Sequence, residues 1–272
     1  MPIRFDRNGG AEAGSENVAT GPGLVAYLTV GDPDLATTRA IALAAIDAGA
    51  DVLELGVPFS DPVADGPVIQ RASERAVARG VTLAHVLKLA AELRDARPEA
   101  GLVIFSYLNP VLQYGLERFC AAAAKAGVDG VLLTDMIVEE AAQYLKLMRI
   151  YSLAPIFLAA PTSPDARLKK IGETSRGFVY AISRVGITGA RESMTNDAEQ
   201  LVARLRQYTK LPIAVGFGVS TAEHVEQVGQ FADAAVIGSA LVSIIEASSR
   251  EIAPQAITRF IKGLRSPALA RS

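Results

Sequence analysis

The amino-acid sequence predicts a single α/β domain, a (β/α)8 barrel with parallel strands and an outer layer of helices. Short β-prone segments alternate with longer segments whose apolar residues recur at helical spacing. Most of the β-prone segments are apolar throughout, which is typical of parallel strands that are covered on both faces. The length of 272 residues also agrees with the roughly 250 residues that one closed barrel requires.

The alternation contains eight predicted strands and ten predicted helices. Residues 8–23 are rich in Gly, Ser and Asn, so residues 1–23 are predicted to be a flexible lead-in and residues 24–272 to form the catalytic barrel domain. The strands are predicted at Leu24–Val30, Val52–Leu55, Leu102–Phe105, Gly130–Thr134, Ala154–Leu158, Gly177–Ile182, Pro212–Val215 and Ala234–Ile237. The helices are predicted at Leu35–Ala48, Val68–Arg79, Leu83–Ala96, Leu116–Ala126, Glu139–Ile150, Asp165–Gly172, Asp197–Tyr208, Ala222–Val228, Leu241–Glu246 and Ile252–Leu264.

Local signals mark where several of these elements begin, in chain order. The segment Asp32-Pro33-Asp34 is suited to start the first helix, and Ser163-Pro164-Asp165 and Ser220-Thr221 are suited to start two later helices. The phrases DAGADVLEL, KAGVDGVLL and QFADAAVIG lead into the second, fourth and eighth strands. Each contains a helix end, a tight turn and a strand, which indicates repeated βα units without a fixed repeat period.

An open, doubly wound parallel sheet is the alternative fold. Such a sheet would need a dinucleotide-binding turn of the form G-x-G-x-x-G after its first strand. Here the first strand is followed by TVGDPD, and no linker or shift in composition divides the chain. A closed barrel is therefore favoured.

Composition excludes several classes of function. The net charge is −2 and the isoelectric point about 5.8, so a clustered basic face for nucleic acid is not expected. No apolar run approaches the roughly 20 residues of a membrane span, and no secretory signal follows Arg4 and Arg7. A single cysteine, Cys120, rules out an intramolecular disulfide and fits a reducing compartment, so a cytoplasmic protein is expected.

Glu54 is the first candidate for chemistry. It lies between Leu53 and Leu55 within the second strand, where a parallel sheet buries both faces. Burial without a partner raises the pKa of a carboxyl group, and a general acid/base needs a pKa near neutrality. The alternative is a structural ion pair with a lysine or arginine at the barrel rim.

The loop after the second strand carries two further carboxylates, Asp61 and Asp65, among three prolines that restrict its backbone. The active site of a barrel lies at the carboxyl ends of the strands, so both residues are site candidates. The alternative is that they form Asx turns or cap the following helix.

Glycines follow the last three strands, in the segments SRVGITGARES, GFGVST and GSALVS. Barrels often bind phosphate at the loops after strands 7 and 8, and free backbone N–H groups at a helix N-terminus favour an anion. The predicted phosphate contacts are Gly189, Gly218, Gly238 and Ser239.

Other reactive residues are few. His85 and His224 fall in helical segments away from strand ends, so with one cysteine they offer no metal cluster. No G-x-S-x-G or Cys–His nucleophile pattern is present at a strand end. Tyr107 and Tyr180 fall near strand ends and are candidates either for a pocket wall or for the core.

Six segments, in chain order, resemble the signature segments of the tryptophan synthase α subunit family: LTVGDPD, LELGVPFSDPVADGPVIQ, YLNPV, GFVYAISRVGITGAR, GFGVST and IGSALV. The resemblance runs from about Leu24 to Glu246. It implies a TIM barrel lyase of tryptophan biosynthesis that cleaves indole-3-glycerol phosphate to indole and glyceraldehyde 3-phosphate. It also implies a β subunit as partner in an α2β2 tetramer, and pyridoxal phosphate would belong to that partner, with no cofactor in this chain.

The resemblance also assigns roles to individual residues. It implies that Glu54 is the general acid/base and that Asp65 interacts with the indole nitrogen. The glycine-rich loop after the sixth strand would place Thr188 and Gly189 over the active site. The implied indole pocket consists of Tyr27, Phe105, Leu132, Ile69 and Tyr180.

Two departures from the family pattern bear on the partner interface. The family usually begins with a short amphipathic helix, whereas residues 8–23 are too rich in Gly and Ser for a good helix. The family also tends to have Asp-x-Pro after the fourth strand, where this chain has Asp135-Met136-Ile137. Losing that proline removes a backbone restriction from a loop that the resemblance places towards the β subunit.

Four functions remain open at this point. The chain is either a lyase that works with a β subunit or a stand-alone lyase that releases free indole. A catalytically silent barrel that only activates a partner is the second class of alternative. A different phosphosugar barrel, such as an isomerase, would explain the glycine loops but not the segment VPFSDPVADGP.

Overall fold

The computed structural model describes residues 21–182, 191–216 and 218–265, with the backbone alone described for residues 191–195. Most of the predicted N-terminal lead-in and the loop containing Thr188 and Gly189 lie outside these ranges. The first strand begins at Gly23, one residue before the predicted start at Leu24.

Parallel strands form the centre of the fold. They are β1 (Gly23–Thr29), β2 (Val52–Gly56), β3 (Gly101–Ser106), β4 (Gly130–Leu133), β5 (Ala154–Ile156), β6 (Leu158–Ala159), β7 (Val179–Ile182), β8 (Ile213–Gly216) and β9 (Ala234–Ile237). Their order in the sheet is β5-β4-β3-β2-β1-β9-β8-β7-β6. All pairings among them are parallel.

The sheet closes at Phe157. The two edge strands of the order, β5 and β6, are separated in the chain by this residue alone. The N–H of Tyr180 in β7 donates to the carbonyl oxygen of Phe157 at 3.1 Å. The predicted strand Ala154–Leu158 is therefore one barrel strand with an interruption, and the expected eight-stranded barrel is found with its fifth strand divided in two.

Helices follow the strands on the outside of the barrel. In the described part of the chain they are α1 (Leu35–Asp47), α2 (Pro67–Ala78), α3 (Leu83–Ala96), α4 (Leu108–Tyr114), α5 (Leu116–Lys125), α6 (Ala142–Ile150), α7 (Asp165–Thr174), α8 (Arg191–Leu205), α9 (Ala222–Gly229), α10 (Ser239–Glu246) and α11 (Ala253–Arg265).

The sequence prediction missed α4 and misplaced two helix starts. Helix α4 has only seven residues and contains Pro110, so it is too short to show a clear apolar period. The helix predicted from Glu139 begins at Ala142, and the helix predicted from Asp197 begins at Arg191.

Two of the three predicted helix caps are present. The Asp34 carboxylate accepts from the Thr37 N–H at 2.8 Å at the start of α1. The Thr221 hydroxyl accepts from the His224 N–H at 3.3 Å at the start of α9. The prediction for Ser163 is wrong, since the cap residue of α7 is Pro164 and the Ser163 hydroxyl instead accepts from the Ala160 N–H at 3.2 Å.

Successive side chains along each strand point alternately into the barrel and outwards, which gives two apolar layers. One set of side chains packs inside the barrel, as in the filled interior expected of this fold; it comprises Val25, Val52, Val103, Leu132, Ile156, Phe178, Ala214, Ala234 and Val236. The intervening residues pack outwards against the helices, for example Leu53 and Leu55 of β2. Because Glu54 lies between these two leucines, it belongs to the inward-facing set.

Three aspartates at the amino-terminal ends of strands fasten the opposite face of the barrel. Each accepts a hydrogen bond from the N–H of a residue in a neighbouring strand: Asp51 from Leu24 at 2.6 Å, Asp129 from Leu102 at 2.8 Å and Asp233 from Ile213 at 2.8 Å. Each is also paired with an arginine, which is Arg265, Arg94 and Arg206 respectively. These are the aspartates of the three phrases that lead into strands, so that repeat has a structural origin.

Among the described residues, no helix has both the length and the apolar character needed to cross a membrane.

Candidate active site

Glu54 lies at the centre of β2 with its side chain fully buried. Its Cα register partners are Tyr27 in β1 and Val103 in β3. Neither carboxyl oxygen has a hydrogen-bond partner within the described part of the chain. Burial alone raises the pKa of Glu54 to about 8. The ion pair considered as an alternative for this residue is not present among the described residues.

An aromatic wall stands beside this carboxyl. The rings of Tyr27 and Phe105 meet edge to face with centroids 5.1 Å apart, and Phe105 is the register partner of Leu132 on β4. The Tyr27 hydroxyl lies over Gly56, where a Cβ would be only 2.4 Å from the hydroxyl oxygen. Gly56 therefore makes the space into which Tyr27 fits.

Tyr180 repeats this arrangement on the other side of the barrel. It lies on β7, beside β8, and a Cβ on Gly216 would be 2.6 Å from its hydroxyl oxygen. Burial raises the pKa of Tyr180 well above its usual value, and the charges of Glu54 and Asp65 raise it further. Tyr180 is therefore close enough to Glu54 and Asp65 to interact with them electrostatically.

Asp65 lies in the loop between β2 and α2 and is half-buried. Its Oδ2 accepts a hydrogen bond from the Tyr107 hydroxyl at 3.0 Å. Burial raises the pKa of Asp65 to about 6, and the Tyr107 hydrogen bond acts in the opposite direction. Asp65 does not cap α2, because the cap position belongs to Gly66. Asp61, the other carboxylate of the loop, is exposed and accepts from the Ser60 hydroxyl at 2.5 Å.

The predicted phosphate contacts after β9 lie next to the aromatic wall. Gly238 is the cap residue of α10, and Ser239 is its exposed first residue. A Cβ on Gly238 would lie 3.8 Å from Ile69 Cδ1 and 3.9 Å from Tyr27 Cβ. Gly238 follows β9, Tyr27 lies on the neighbouring β1 and Glu54 lies on β2, so the three residues follow one another around the barrel.

Of the remaining predicted phosphate contacts, the structure describes Gly218 but not Gly189. Gly218 is exposed, with φ of +67° and open space where a Cβ would lie. It precedes the first residue of α9 by four positions, so it belongs to the loop and not to the helix terminus. Thr188 and Gly189 lie outside the described residues.

Tyr107 is the site residue that sequence reasoning undervalued. It follows β3 directly, whereas Asp65 lies in the loop after the neighbouring strand β2, and Tyr107 is 3% exposed. Position after a strand was the available signal, but buried tyrosines are more often core residues. Only the fold shows that its hydroxyl reaches Asp65.

No group of three or more His, Cys, Asp or Glu side chains in the described part of the chain is arranged to hold a metal ion. His85 and His224 instead take part in helix-start hydrogen bonds with Thr82 and with Ser220 and Thr221. The titratable groups with shifted pKa values described at this site are carboxyl and phenol groups.

Comparison with known proteins identifies the family. The family model of the tryptophan synthase alpha chain matches residues 15–265. The tryptophan synthase alpha chain of Solibacter usitatus is 50% identical over 243 residues, which is 88% of this chain and 91% of the relative. That of Laribacter hongkongensis is 47% identical over 242 residues, with 89% and 91% covered.

Solved structures give the same result at the level of the fold. Tryptophan synthase subunit alpha from Legionella pneumophila superimposes with a TM-score of 0.82 at 36% identity, covering 90% of this chain and 91% of that one. A chain of the tryptophan synthase complex from Pyrococcus furiosus has a TM-score of 0.81 at 37% identity, covering 90% and 98%. The chain belongs to the tryptophan synthase alpha chain family, the lyase subunits that cleave indole-3-glycerol phosphate.

Proposed function

We propose that Glu54 is the general acid/base of this lyase and that Asp65 stabilises the charge that develops on the indole ring. The observation that carries the proposal is the fully buried Glu54 carboxyl without a partner among the described residues. Its pKa of about 8 keeps it protonated at neutral pH. The pKa of Asp65, about 6, leaves that carboxyl largely ionised at the same pH. Two carboxyl groups with different ionisation can divide acid and base roles.

The reaction requires the bond between indole C3 and the glycerol chain to break. Protonated Glu54 gives its proton to C3, so the ring becomes a cationic indolenine that can accept electrons. The resulting carboxylate takes the proton from the adjacent glycerol hydroxyl, whose oxygen then forms the aldehyde. The electron pair of the broken carbon–carbon bond returns to the ring and restores the indole, and Glu54 ends the cycle protonated.

Asp65 acts at the other side of the ring. While C3 carries the extra proton, positive charge accumulates at N1–H, and an ionised carboxylate that accepts a hydrogen bond from N1–H lowers the energy of that state. A position of this carboxylate at the barrel mouth is supported by the pKa values of Tyr27 and Tyr180, which are raised by burial and further by the Asp65 charge.

The substrate would be bound by the residues that surround the two carboxyl groups. The indole ring would pack on Tyr27, Phe105, Leu132, Ile69 and Tyr180, with Thr188 as a further contact. The phosphate would accept hydrogen bonds from Gly189, Gly218, Gly238 and Ser239, with the N-terminus of α10 contributing favourable backbone dipoles. Anchoring an anion away from the scissile bond fixes the register of the ring, which is the positioning part of catalysis.

A β subunit that receives the indole is the proposed partner, in an α2β2 tetramer, and the pyridoxal phosphate of the second reaction would belong to that subunit. Family membership supports the partner. Three apolar side chains in segments that follow β2, β3 and β4 are exposed: Val63, Leu112 and Ile137. Their exposure supports a surface that a partner subunit covers. We place the enzyme in the cytoplasm, where phosphorylated biosynthetic intermediates are made.

The test is direct cleavage of the substrate. The purified chain is incubated with indole-3-glycerol phosphate, alone and with a β subunit of a relative loaded with pyridoxal phosphate, and indole and glyceraldehyde 3-phosphate are measured. The proposal predicts both products in equal amounts when the β subunit is present. Absence of indole under both conditions would indicate a silent barrel, and equal activity without any binding of the β subunit would indicate a stand-alone lyase.

A further inference from the structure

The Tyr107 hydroxyl contacts the loop that carries Asp65 at two points, one on a side chain and one on the backbone. The Tyr107 hydroxyl donates to Asp65 Oδ2 at 3.0 Å and accepts from the Ala64 N–H at 2.9 Å. One phenol group therefore satisfies two polar groups from adjacent residues. Tyr107 is itself fixed at the end of β3 and is almost fully buried.

The loop has few other anchors near Asp65. Residues 60, 61, 63, 64, 66 and 67 are exposed, and Val63 is 86% exposed. The Gln70 side-chain amide donates to the backbone carbonyl of Asp65 at 2.9 Å, but it does not contact the carboxylate. The Phe59 ring packs against the Tyr107 ring with centroids 5.2 Å apart. Among the described residues, Tyr107 is thus the contact that orients the carboxylate.

We propose that Tyr107 is a positioning residue of the lyase reaction, whose hydroxyl holds the Asp65 carboxylate towards the barrel mouth and favours its ionised form. This inference rests on the proposed role of Asp65. Tyr107 acts through Asp65, because its hydroxyl donates to the Asp65 carboxylate and accepts from the neighbouring Ala64 N–H.

The electrostatic surroundings of Asp65 agree with this role. Burial raises the Asp65 pKa to about 6, and the hydrogen bond from Tyr107 lowers it. The titratable groups that share this space are the Glu54 carboxyl and the phenols of Tyr27 and Tyr180, whose pKa values are raised by burial and by the nearby carboxylates. Burial also raises the pKa of Tyr107, which keeps its phenol protonated and able to donate.

The experiment is the Tyr107→Phe variant, assayed for cleavage of indole-3-glycerol phosphate as a function of pH. We expect kcat/KM to fall about tenfold at neutral pH, the loss of one charge-assisted hydrogen bond. The acidic limb of the profile should move to higher pH, because the hydrogen bond that favours ionised Asp65 is lost. Tyr144→Phe is the matched control, since the Tyr144 hydroxyl donates to the Val131 carbonyl at 3.1 Å in a buried position outside the site.

A double-mutant comparison separates positioning from a general structural role. In an Asp65→Asn background, Tyr107→Phe should have little further effect on kcat/KM, because the group through which it acts is gone. The exchange rate of the Ala64 amide hydrogen should rise in Tyr107→Phe and not in Tyr144→Phe, which reports loop anchoring without reference to activity.

The outcomes distinguish this inference from the proposed function. An active wild type in which Tyr107→Phe keeps its rate and its acidic limb would overturn the positioning role alone. The same holds if the effects of Tyr107→Phe and Asp65→Asn multiply independently. A wild type that forms no indole even with the β subunit would instead overturn the proposed function, while faster Ala64 exchange would still support the anchoring of the loop.

Discussion

Tyr27 and Glu54 are register partners on β1 and β2, yet the Tyr27 hydroxyl does not hydrogen-bond the Glu54 carboxyl. The Tyr27 oxygen instead accepts from the Thr29 hydroxyl at 3.3 Å. The Tyr27 hydroxyl thus does not satisfy the buried Glu54 carboxyl, which has no hydrogen-bond partner among the described residues. Glu54 therefore weakens the fold whenever it is ionised, which is typical of a residue kept for chemistry.

The first prediction concerns the pH dependence of stability. The pKa of Glu54 rises from 4.5 to about 8 on folding, so the folded state binds the proton more tightly than the unfolded state. The contribution of Glu54 to stability is fully present below about pH 4.5 and is lost as the pH rises through 8. Glu54→Gln cannot ionise, and its free energy of unfolding should exceed that of the wild type by on the order of 2–4 kcal/mol at pH 7.

Urea unfolding at pH 5 and pH 8 measures this effect, and the advantage of the variant should grow between the two. The exposed Glu99 provides the control, because Glu99→Gln should leave the pH dependence unchanged. Parallel stability curves for the wild type and Glu54→Gln would show that Glu54 ionises as freely in the folded protein as in the unfolded chain.

The second prediction concerns the space above Gly56. A Cβ at this position would lie 2.4 Å from Tyr27 Oη and 2.6 Å from Cζ, so Gly56→Ala must displace the Tyr27 ring from the site wall. We expect kcat/KM for indole-3-glycerol phosphate to fall about tenfold and the free energy of unfolding to fall by about 1–3 kcal/mol, the usual effect of overpacking.

Gly21→Ala is the control for this substitution, since a Cβ there would meet no atom within 4 Å. Steady-state kinetics and thermal unfolding of both variants provide the measurement. If Gly56→Ala retained the wild-type KM and kcat, the position of the Tyr27 ring would have no bearing on substrate binding.

The third prediction tests the phosphate site at the start of α10. Ser239→Asp places a negative charge at the first residue of that helix, where the substrate phosphate would lie. We expect KM for indole-3-glycerol phosphate to rise at least about tenfold, because one unit charge about 4 Å from a dianion costs on the order of 2 kcal/mol even in bulk water and more near a protein surface. The kcat should change less than KM.

Ser243→Asp is the matched control, because Ser243 is an exposed serine on the same helix one turn further on. Competitive inhibition by inorganic phosphate gives a second readout and should weaken in Ser239→Asp only. Equal effects of the two substitutions would argue against a phosphate at the helix N-terminus.

The fourth prediction concerns the opposite face of the barrel. Arg94 donates to Asp129 at 2.6 Å and to the Gly127 carbonyl at 2.9 Å, and both Arg94 and Asp129 are largely buried. Arg94→Ala should lower the free energy of unfolding by about 1–3 kcal/mol, because it leaves a half-buried carboxylate without its cation. Catalytic rates at 25 °C should stay at the wild-type level.

Arg97→Ala is the comparison, since the Arg97–Asp47 pair is more exposed and exposed ion pairs contribute little. Chemical unfolding of the two variants should show a clearly larger loss for Arg94→Ala. A loss of activity in folded Arg94→Ala would contradict the assignment of this face to stability alone.

The barrel could be predicted because its signals are local and repeated. Strand positions follow from short apolar runs, and the aspartates before β2, β4 and β9 recur because each fastens a neighbouring strand. The division of the fifth strand at Phe157 was not predictable, since Ala154–Leu158 is continuous in composition. Helix α4 was missed because seven residues with an internal proline do not establish a period.

The site was predictable where a residue type conflicts with its position. A glutamate between two leucines in a buried strand signals unusual ionisation, and its burial in the structure agrees with that expectation. The link between Tyr107 and Asp65 joins residues 42 positions apart in the chain, and no periodic signal encodes it. The same is true of Gly56 and Tyr27, whose fit depends on the pairing of β1 with β2.

The most direct test of the account is the rate of indole formation from indole-3-glycerol phosphate by Glu54→Gln, with folding verified by thermal unfolding and Glu99→Gln as control. The account predicts a loss of at least about 100-fold relative to the wild type, the range of general acid/base catalysis, while the control keeps full activity. A folded Glu54→Gln variant that forms indole at close to the wild-type rate would contradict the role of this carboxyl.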